Sequence, residues 1–142
     1  MYWLRCWFRE DSTTFTLTVT PINDAPVITA VSNDSTNEET EKSIVLSASD
    51  IDGDALTYSA SSDTSAVAVT ISTDTLKLTP ALNYTGTSVI TVIVSDNALT
   101  DTTKFDFKVI NVNDAPVITA VSNDSTNEET ATKIALSASD ID

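Results

Sequence analysis

The 142-residue chain has no histidine, one cysteine (Cys6), two glycines, and seven Lys+Arg against 21 Asp+Glu. Each shortage closes a class of function. Without histidine there is no imidazole general base and no Cys/His zinc site, and one cysteine makes no internal disulfide. A formal net charge of −14 repels phosphate backbones and anionic membrane surfaces, so no nucleic-acid partner is expected. No apolar run approaches the roughly 18–20 residues of a membrane-spanning helix, so no direct membrane insertion by this segment is expected either. What is plentiful is threonine (24) and serine (17), with valine and isoleucine between them. That is the composition of strands and turns. The expectation is an acidic all-β chain that is not an enzyme, since its serines have no histidine to activate them.

Internal periodicity sets the organisation. Residues 23–52 and 113–142 share 26 of 30 positions at an offset of 90, differing only at Glu41, Lys42, Ser43 and Val45 of the first copy. The match extends upstream, where residues 11–22 align with 101–112 and keep Asp, Thr, Phe and Val. A unit of this length is the size of a small β-sandwich. The chain therefore divides into a non-repeat N-terminal segment (1–10), the final strand of a preceding truncated repeat (11–22), a complete repeat (23–112) and the truncated start of the next (113–142). Residues 1–10 crowd in four of the nine aromatics. Arg5 and Arg9 interrupt the apolar stretch there and leave no h-region of a signal peptide.

Within 23–112 apolar residues alternate with a period of two, the mark of half-buried strands. Ile44/Leu46/Ala48, Leu56/Tyr58/Ala60, Val67/Val69/Ile71, Leu76/Leu78, Ile90/Val92/Val94 and Phe105/Phe107/Val109 each share a face. With Val27-Ile28 they predict seven strands, separated by turn signals such as Asp52-Gly53-Asp54 and Asp96-Asn97. Two stacked antiparallel sheets bury such faces, giving an immunoglobulin-like Greek-key sandwich without a disulfide. Residues 113–142 supply only two strands, too few for a core. The strand expected at 14–20 has no sheet of its own. Both flanks are expected to be poorly ordered, to lean on the central unit or to exchange between chains.

Carboxylates and side-chain amides gather in two places: Asp50-Ile51-Asp52-Gly53-Asp54, with Asp140-Ile141-Asp142 as its copy, and Asn23-Asp24-Ala25-Pro26, repeated as Asn113-Asp114-Ala115-Pro116. Three aspartates around one glycine bring hard oxygens together that repel one another unless a cation intervenes. Calcium, which takes six to eight oxygens at about 2.3–2.6 Å in irregular geometry, suits them better than magnesium. An EF-hand is excluded: counted from Asp50, Gly53 falls too early, Ser61 replaces the bidentate glutamate, and strands flank the loop. A solvated turn without metal satisfies the same spacing, because Asp and Gly both favour turns.

The run Ala48-Ser49-Asp50-Ile51-Asp52-Gly53-Asp54-Ala55-Leu56-Thr57-Tyr58 resembles the calcium-binding turn of cadherin repeats, A-x-D-x-D followed by L-x-Y. Val94-Ser95-Asp96 resembles the family's later V-x-A-x-D, and Asn111-Val112-Asn113-Asp114-Ala115-Pro116-Val117 its D-x-N-D linker. Asn37-Glu38-Glu39-Thr40 sits where such repeats carry an early glutamate. The resemblance, covering residues 11–142, is to bacterial cadherin-like tandem repeats of large secreted or cell-surface proteins. It implies calcium at the junctions between repeats. Asn23, Asp24, Asp50, Asp52 and Asp96, with Asp54 nearby, would hold it at the first junction. At the second, the matching residues are Glu38 or Glu39, Asn111, Asn113, Asp114, Asp140 and Asp142. The family's L-D-R-E motif aligns with Leu82-Asn83-Tyr84-Thr85, which lacks both carboxylates. Pro21 and Asn111 stand where the family has an acid, which implies fewer ions per junction.

The expected function is a calcium-stiffened spacer of an extracellular or cell-surface adhesin-like protein. Its partners are the neighbouring repeats of the same polypeptide, and another protein or a glycan on a cell surface. A calcium-independent spacer is the alternative, or a sugar- or protein-binding sandwich with Tyr84 as its one candidate aromatic platform.

Overall fold

The structure, a computed structural model, describes residues 13–142; the expected non-repeat segment 1–10 lies outside the described residues. Residues 23–112 carry nine strands: β1 (Val27–Ile28), β2 (Asp34–Asn37), β3 (Lys42–Val45), β4 (Ala48–Ser49), β5 (Thr57–Ser62), β6 (Val67–Ser72), β7 (Thr75–Pro80), β8 (Gly86–Ser95) and β9 (Thr100–Ile110). One sheet has the order β2-β9-β8-β5. Facing it are β3-β7-β6 and the short pair β1-β4. Every pairing in this unit is antiparallel except β2 with β9. Two sheets in this order make an immunoglobulin-like sandwich, with the opening strand split so that β1 joins one sheet and β2 the other.

Two of these strands correct the expected seven. β2 was not anticipated because Asp34-Ser35-Thr36-Asn37 has no apolar alternation. It is an edge strand fixed by its parallel ladder to β9, Asp34 opposite Phe107 and Asn37 opposite Ile110, so its main chain rather than its side chains holds it. The expected strand around 44–48 divides at Leu46, whose N–H donates to the Asp74 carbonyl at 2.7 Å. The face assignment holds across the break: Leu46 is buried, Ile44 and Ala48 half-buried, and Val45 73% exposed.

The core lies between the sheets. Leu76 and Leu78 of β7 and Val67 of β6 meet Ile90, Val92 and Val94 of β8 and Phe105, Phe107 and Val109 of β9, with Ile28 and Leu46 closing one side. These are the period-two faces of the sequence. Among the described residues no helix is long and apolar enough to cross a membrane.

The flanks differ from the unit. Residues 14–20 form no strand, correcting the one expected there, and Phe15, Leu17 and Val19 are 86, 76 and 80% exposed. Their counterparts Phe105, Phe107 and Val109 are buried because β8 and the opposing sheet cover them. The alternation is the same in both places, so the neighbours make the strand. In residues 113–142 only β10 (Val117–Ile118) and β11 (Ala138–Ser139) form, paired antiparallel. Their register, Val117 opposite Ser139, matches Val27 opposite Ser49 in β1-β4.

Candidate metal centres

Two acidic centres occupy opposite ends of the sandwich. β8 runs from one to the other, ten residues at ~3.3 Å each, so about 30 Å separates them.

The first is built on the Asp50–Asp54 turn that follows β4. The Asp52 N–H donates to Asp50 Oδ1 at 2.8 Å, curling the chain over its own carboxylate. Gly53 then takes φ +79°, the left-handed region that glycine enters without steric cost. This curl brings a carboxylate oxygen from each of Asp50, Asp52 and Asp54 within 4.8 Å of the others. The linker is tied to the same turn. The Asp24 N–H donates to Asp52 Oδ2 at 2.8 Å, and Asn23 Nδ2 donates to Asp96 Oδ2 at 2.8 Å. The other oxygen of Asp96 accepts the N–H groups of Ala98 and Leu99 at 2.7 and 2.6 Å. The Leu99 and Asn23 bonds, with that of Ala98, hold the Asp96 carboxyl below the usual carboxylate range. Asp96 thus anchors the linker and stands outside the three-carboxylate group.

The second centre joins segments far apart in sequence. Glu38 after β2, Asp114 in the linker and Asp142 after β11 bring carboxylate oxygens within 4.8 Å of one another. Glu38 is buried, and its Oε1 accepts the Val112 N–H at 2.7 Å. Asp142 accepts the Asp114 N–H at 2.6 Å and Asn111 Nδ2 at 3.0 Å. Asn113 Nδ2 donates to the Asp114 carbonyl at 2.7 Å, as Asn23 does to that of Asp24 at 3.0 Å. The Asp114–Asp142 bond likewise repeats Asp24–Asp52 at the same 90-residue offset.

Of the two glutamates offered by sequence, the structure turns Glu38 into this centre. Glu39 is exposed at φ +58°. Asp140 is exposed too, and accepts the Asp142 N–H at 3.4 Å without joining the carboxylate group. Sequence reasoning passed over Asp101. Its Oδ2 accepts the Ile28 N–H at 2.9 Å and its Oδ1 the Thr102 N–H at 2.8 Å, fastening β1 to β9 and holding the Asp101 carboxyl below its ordinary pKa. Its preservation as Asp11 in the repeat alignment was the available signal.

The donors suit a hard cation. All are oxygens, and among the described residues the salt bridges, Lys42–Asp34 and Lys77–Glu41, involve no residue of either centre. Asp50 Oδ2 is buried with no hydrogen-bond partner. A buried carboxylate oxygen left bare costs stability unless something positive meets it. Tyr84 is no exposed platform: it packs against the core and its hydroxyl lies 3.1 Å from Ser88 Oγ.

The bacterial Ig domain family matches residues 23–108, and the chain belongs to it. No curated protein matches at the sequence level. Among solved structures, human protocadherin-24 EC1-2 is similar, with 31% identity and a TM-score of 0.53 over 70% of this chain and 50% of that one. A second crystal form of it gives 31% and 0.50 over 66% and 48%. An endo-fucoidan hydrolase of glycoside hydrolase family 107 aligns at 26% identity and a TM-score of 0.51, over 66% of this chain and 16% of that one. The chain thus spans about half of the protocadherin fragment and a sixth of the hydrolase. An all-β, cadherin-like immunoglobulin sandwich of a bacterial type is the class of structural module that the fold defines.

Proposed function

We propose that residues 23–112 are one unit of a calcium-stiffened tandem rod in an extracellular or cell-surface protein, with no enzymatic activity of its own. The observation that carries the proposal is the buried Asp50 Oδ2, without a hydrogen-bond partner among the described residues, inside a group of three aspartates that take part in neither salt bridge found there. The likeness to cadherin domains at 31% identity supports it. Asp50, Asp52 and Asp54 would hold one ion, and Glu38, Asp114 and Asp142 another. The cation supplies charge neutralisation. Without it, like charges push the linker away from the turn; with it, Glu38 of one unit shares an ion with Asp114 and Asp142 of the next, and the relative orientation of those two units is fixed.

The second centre draws on residues 38, 114 and 142, so binding there is inseparable from the junction's geometry. Extracellular calcium modules bind at about 10⁻⁴–10⁻³ M, which leaves such a rod loose in cytosol and stiff outside. The partners follow from this: neighbouring units of the same polypeptide, and a protein or glycan on a cell surface at the rod's working end.

Calorimetric titration of calcium into chelator-treated chain tests the proposal. The expected result is saturable binding in the 10⁻⁴–10⁻³ M range that magnesium does not reproduce and that the Asp50→Ala/Asp52→Ala double variant weakens. No heat and no competition in either chain would leave a calcium-independent spacer.

A further inference from the structure

We infer that the Asp52–Gly53 peptide is a site of spontaneous isoaspartate formation, open while the first acidic centre lacks a cation and closed when calcium fills it. The closing rests on the calcium-stiffened reading above; the reactivity of the peptide does not.

The reaction needs a main-chain nitrogen that is free to meet the side-chain carbon of the residue before it. Of the two glycines, Gly86 follows Thr85, so Asp52-Gly53 is the only Asp-Gly peptide in the chain. Both residues are exposed. Outside its chain neighbours, no heavy atom lies within 4 Å of where a Cβ on Gly53 would stand. Among the described residues no main-chain carbonyl accepts the Gly53 N–H. Other aspartates are followed by amides that are held. Ser35 in β2 and Thr102 in β9 each donate the N–H to the preceding aspartate's own Oδ1, at 2.7 and 2.8 Å. At Asp52 the side chain is tied only through Oδ2, which accepts the Asp24 N–H at 2.8 Å.

The covalent step conserves mass and involves no oxidant. The Gly53 nitrogen attacks Asp52 Cγ, and the new N–Cγ bond closes a cyclic imide. One Cγ–O bond breaks, and its oxygen leaves as water with the amide proton and one proton from solvent. Water then adds back. Addition at Cγ restores aspartate. Addition at the Asp52 main-chain carbonyl carbon breaks its bond to nitrogen, so the chain now runs through Cβ and Cγ and the carboxylate sits on Cα.

That product spoils the centre. The main chain is longer by one carbon, the carboxylate is displaced from the group it made with Asp50 and Asp54, and the Asp24 N–H loses its acceptor. A cation held by the three aspartates ties the Asp52 oxygens down and keeps Cγ from turning towards the nitrogen. Time spent without calcium therefore removes binding at this centre permanently, while Glu38, Asp114 and Asp142 keep theirs.

The test is prolonged incubation of the full chain at neutral pH in EGTA and in ~10 mM calcium, with isoaspartate located by electron-transfer fragmentation of its peptides. Isoaspartate should accumulate at position 52 in EGTA and not at Asp54, where Ala55 carries the Cβ that Gly53 lacks. For a site with Kd near 1 mM, about one chain in eleven is free at that calcium concentration, so accumulation should slow about tenfold. Gly53→Asn, which tolerates positive φ, should suppress it in EGTA, with a urea midpoint to check the sandwich. No excess at position 52 over Asp54 in EGTA overturns the site, whatever calcium does. Equal accumulation in both solutions overturns the closing by calcium, and calorimetry on the same chain then separates the two readings. Saturable heat leaves the calcium rod standing without this control, and no heat means that the calcium reading itself has failed.

Discussion

Asp50 and Asp96 carry similar carboxylates in opposite situations. Asp96 has partners on both oxygens, from Asn23, Ala98 and Leu99, whereas Asp50 has Oδ1 satisfied by Asp52 and Oδ2 bare. Asp50→Asn should therefore leave the calcium-free protein at least as stable as wild type, because a repelling charge is removed, while reducing its response to calcium to that of the Glu38–Asp114–Asp142 centre. Thermal unfolding in chelator and in calcium reads both effects. Asp96 and Asp101 are expected to contribute to acid stability. Their folded pKa values lie below the ordinary 3.8, so their contribution is fully present above that pH and is lost as pH falls through the lowered folded values. Urea midpoints measured from pH 6 down to pH 2.5 should drop, and Asp96→Asn and Asp101→Asn should each flatten the decline below about pH 4. Equal slopes in all three chains would remove these carboxylates from the acid response.

Alternation of apolar residues made six of the strands legible, because each buries one face against the opposite sheet. β2 was not legible: its four polar residues are strand only through main-chain bonds to β9, which no side-chain pattern encodes. The division at Leu46 is likewise a hydrogen-bond event, its N–H leaving the strand for Asp74. The segment 14–20 fails in the other direction, carrying the pattern without the neighbours. Packing energetics give a direct check on the faces. Leu78, fully buried in the central strand β7, should cost about 2–5 kcal/mol on substitution by alanine. Val45 points outward from β3 at 73% exposed, and Val45→Ala should stay within about 0.5 kcal/mol. Chemical denaturation separates the two.

At the scale of the whole molecule, Asp24, Asp50 and Asp52 were legible by their recurrence as Asp114, Asp140 and Asp142 at an offset of 90, and the cadherin resemblance had placed Glu38 or Glu39 with Asp114 and Asp142, whereas spacing alone had not. Distance in sequence hides that Glu38 meets Asp142, and only the sandwich, by placing the end of β2 beside the end of β9, brings them together. Spacing does group Asp54 with Asp50 and Asp52, but it does not reveal that Asp96 serves the linker. Under the proposed function, these two centres, at opposite ends of one sandwich, are where a cation would stiffen the chain. The most direct measurement is thermal unfolding of the full chain in EGTA, in ~10 mM calcium and in ~10 mM magnesium. For a site with Kd near 1 mM, calcium at that concentration adds about 1.4 kcal/mol, which raises the midpoint of a domain this small by several degrees. Calcium-held centres predict that rise, its absence with magnesium, and its reduction in Asp50→Ala/Asp52→Ala, which removes one of the two centres. Coincident curves in all three solutions would contradict it and leave the aspartates as turn residues.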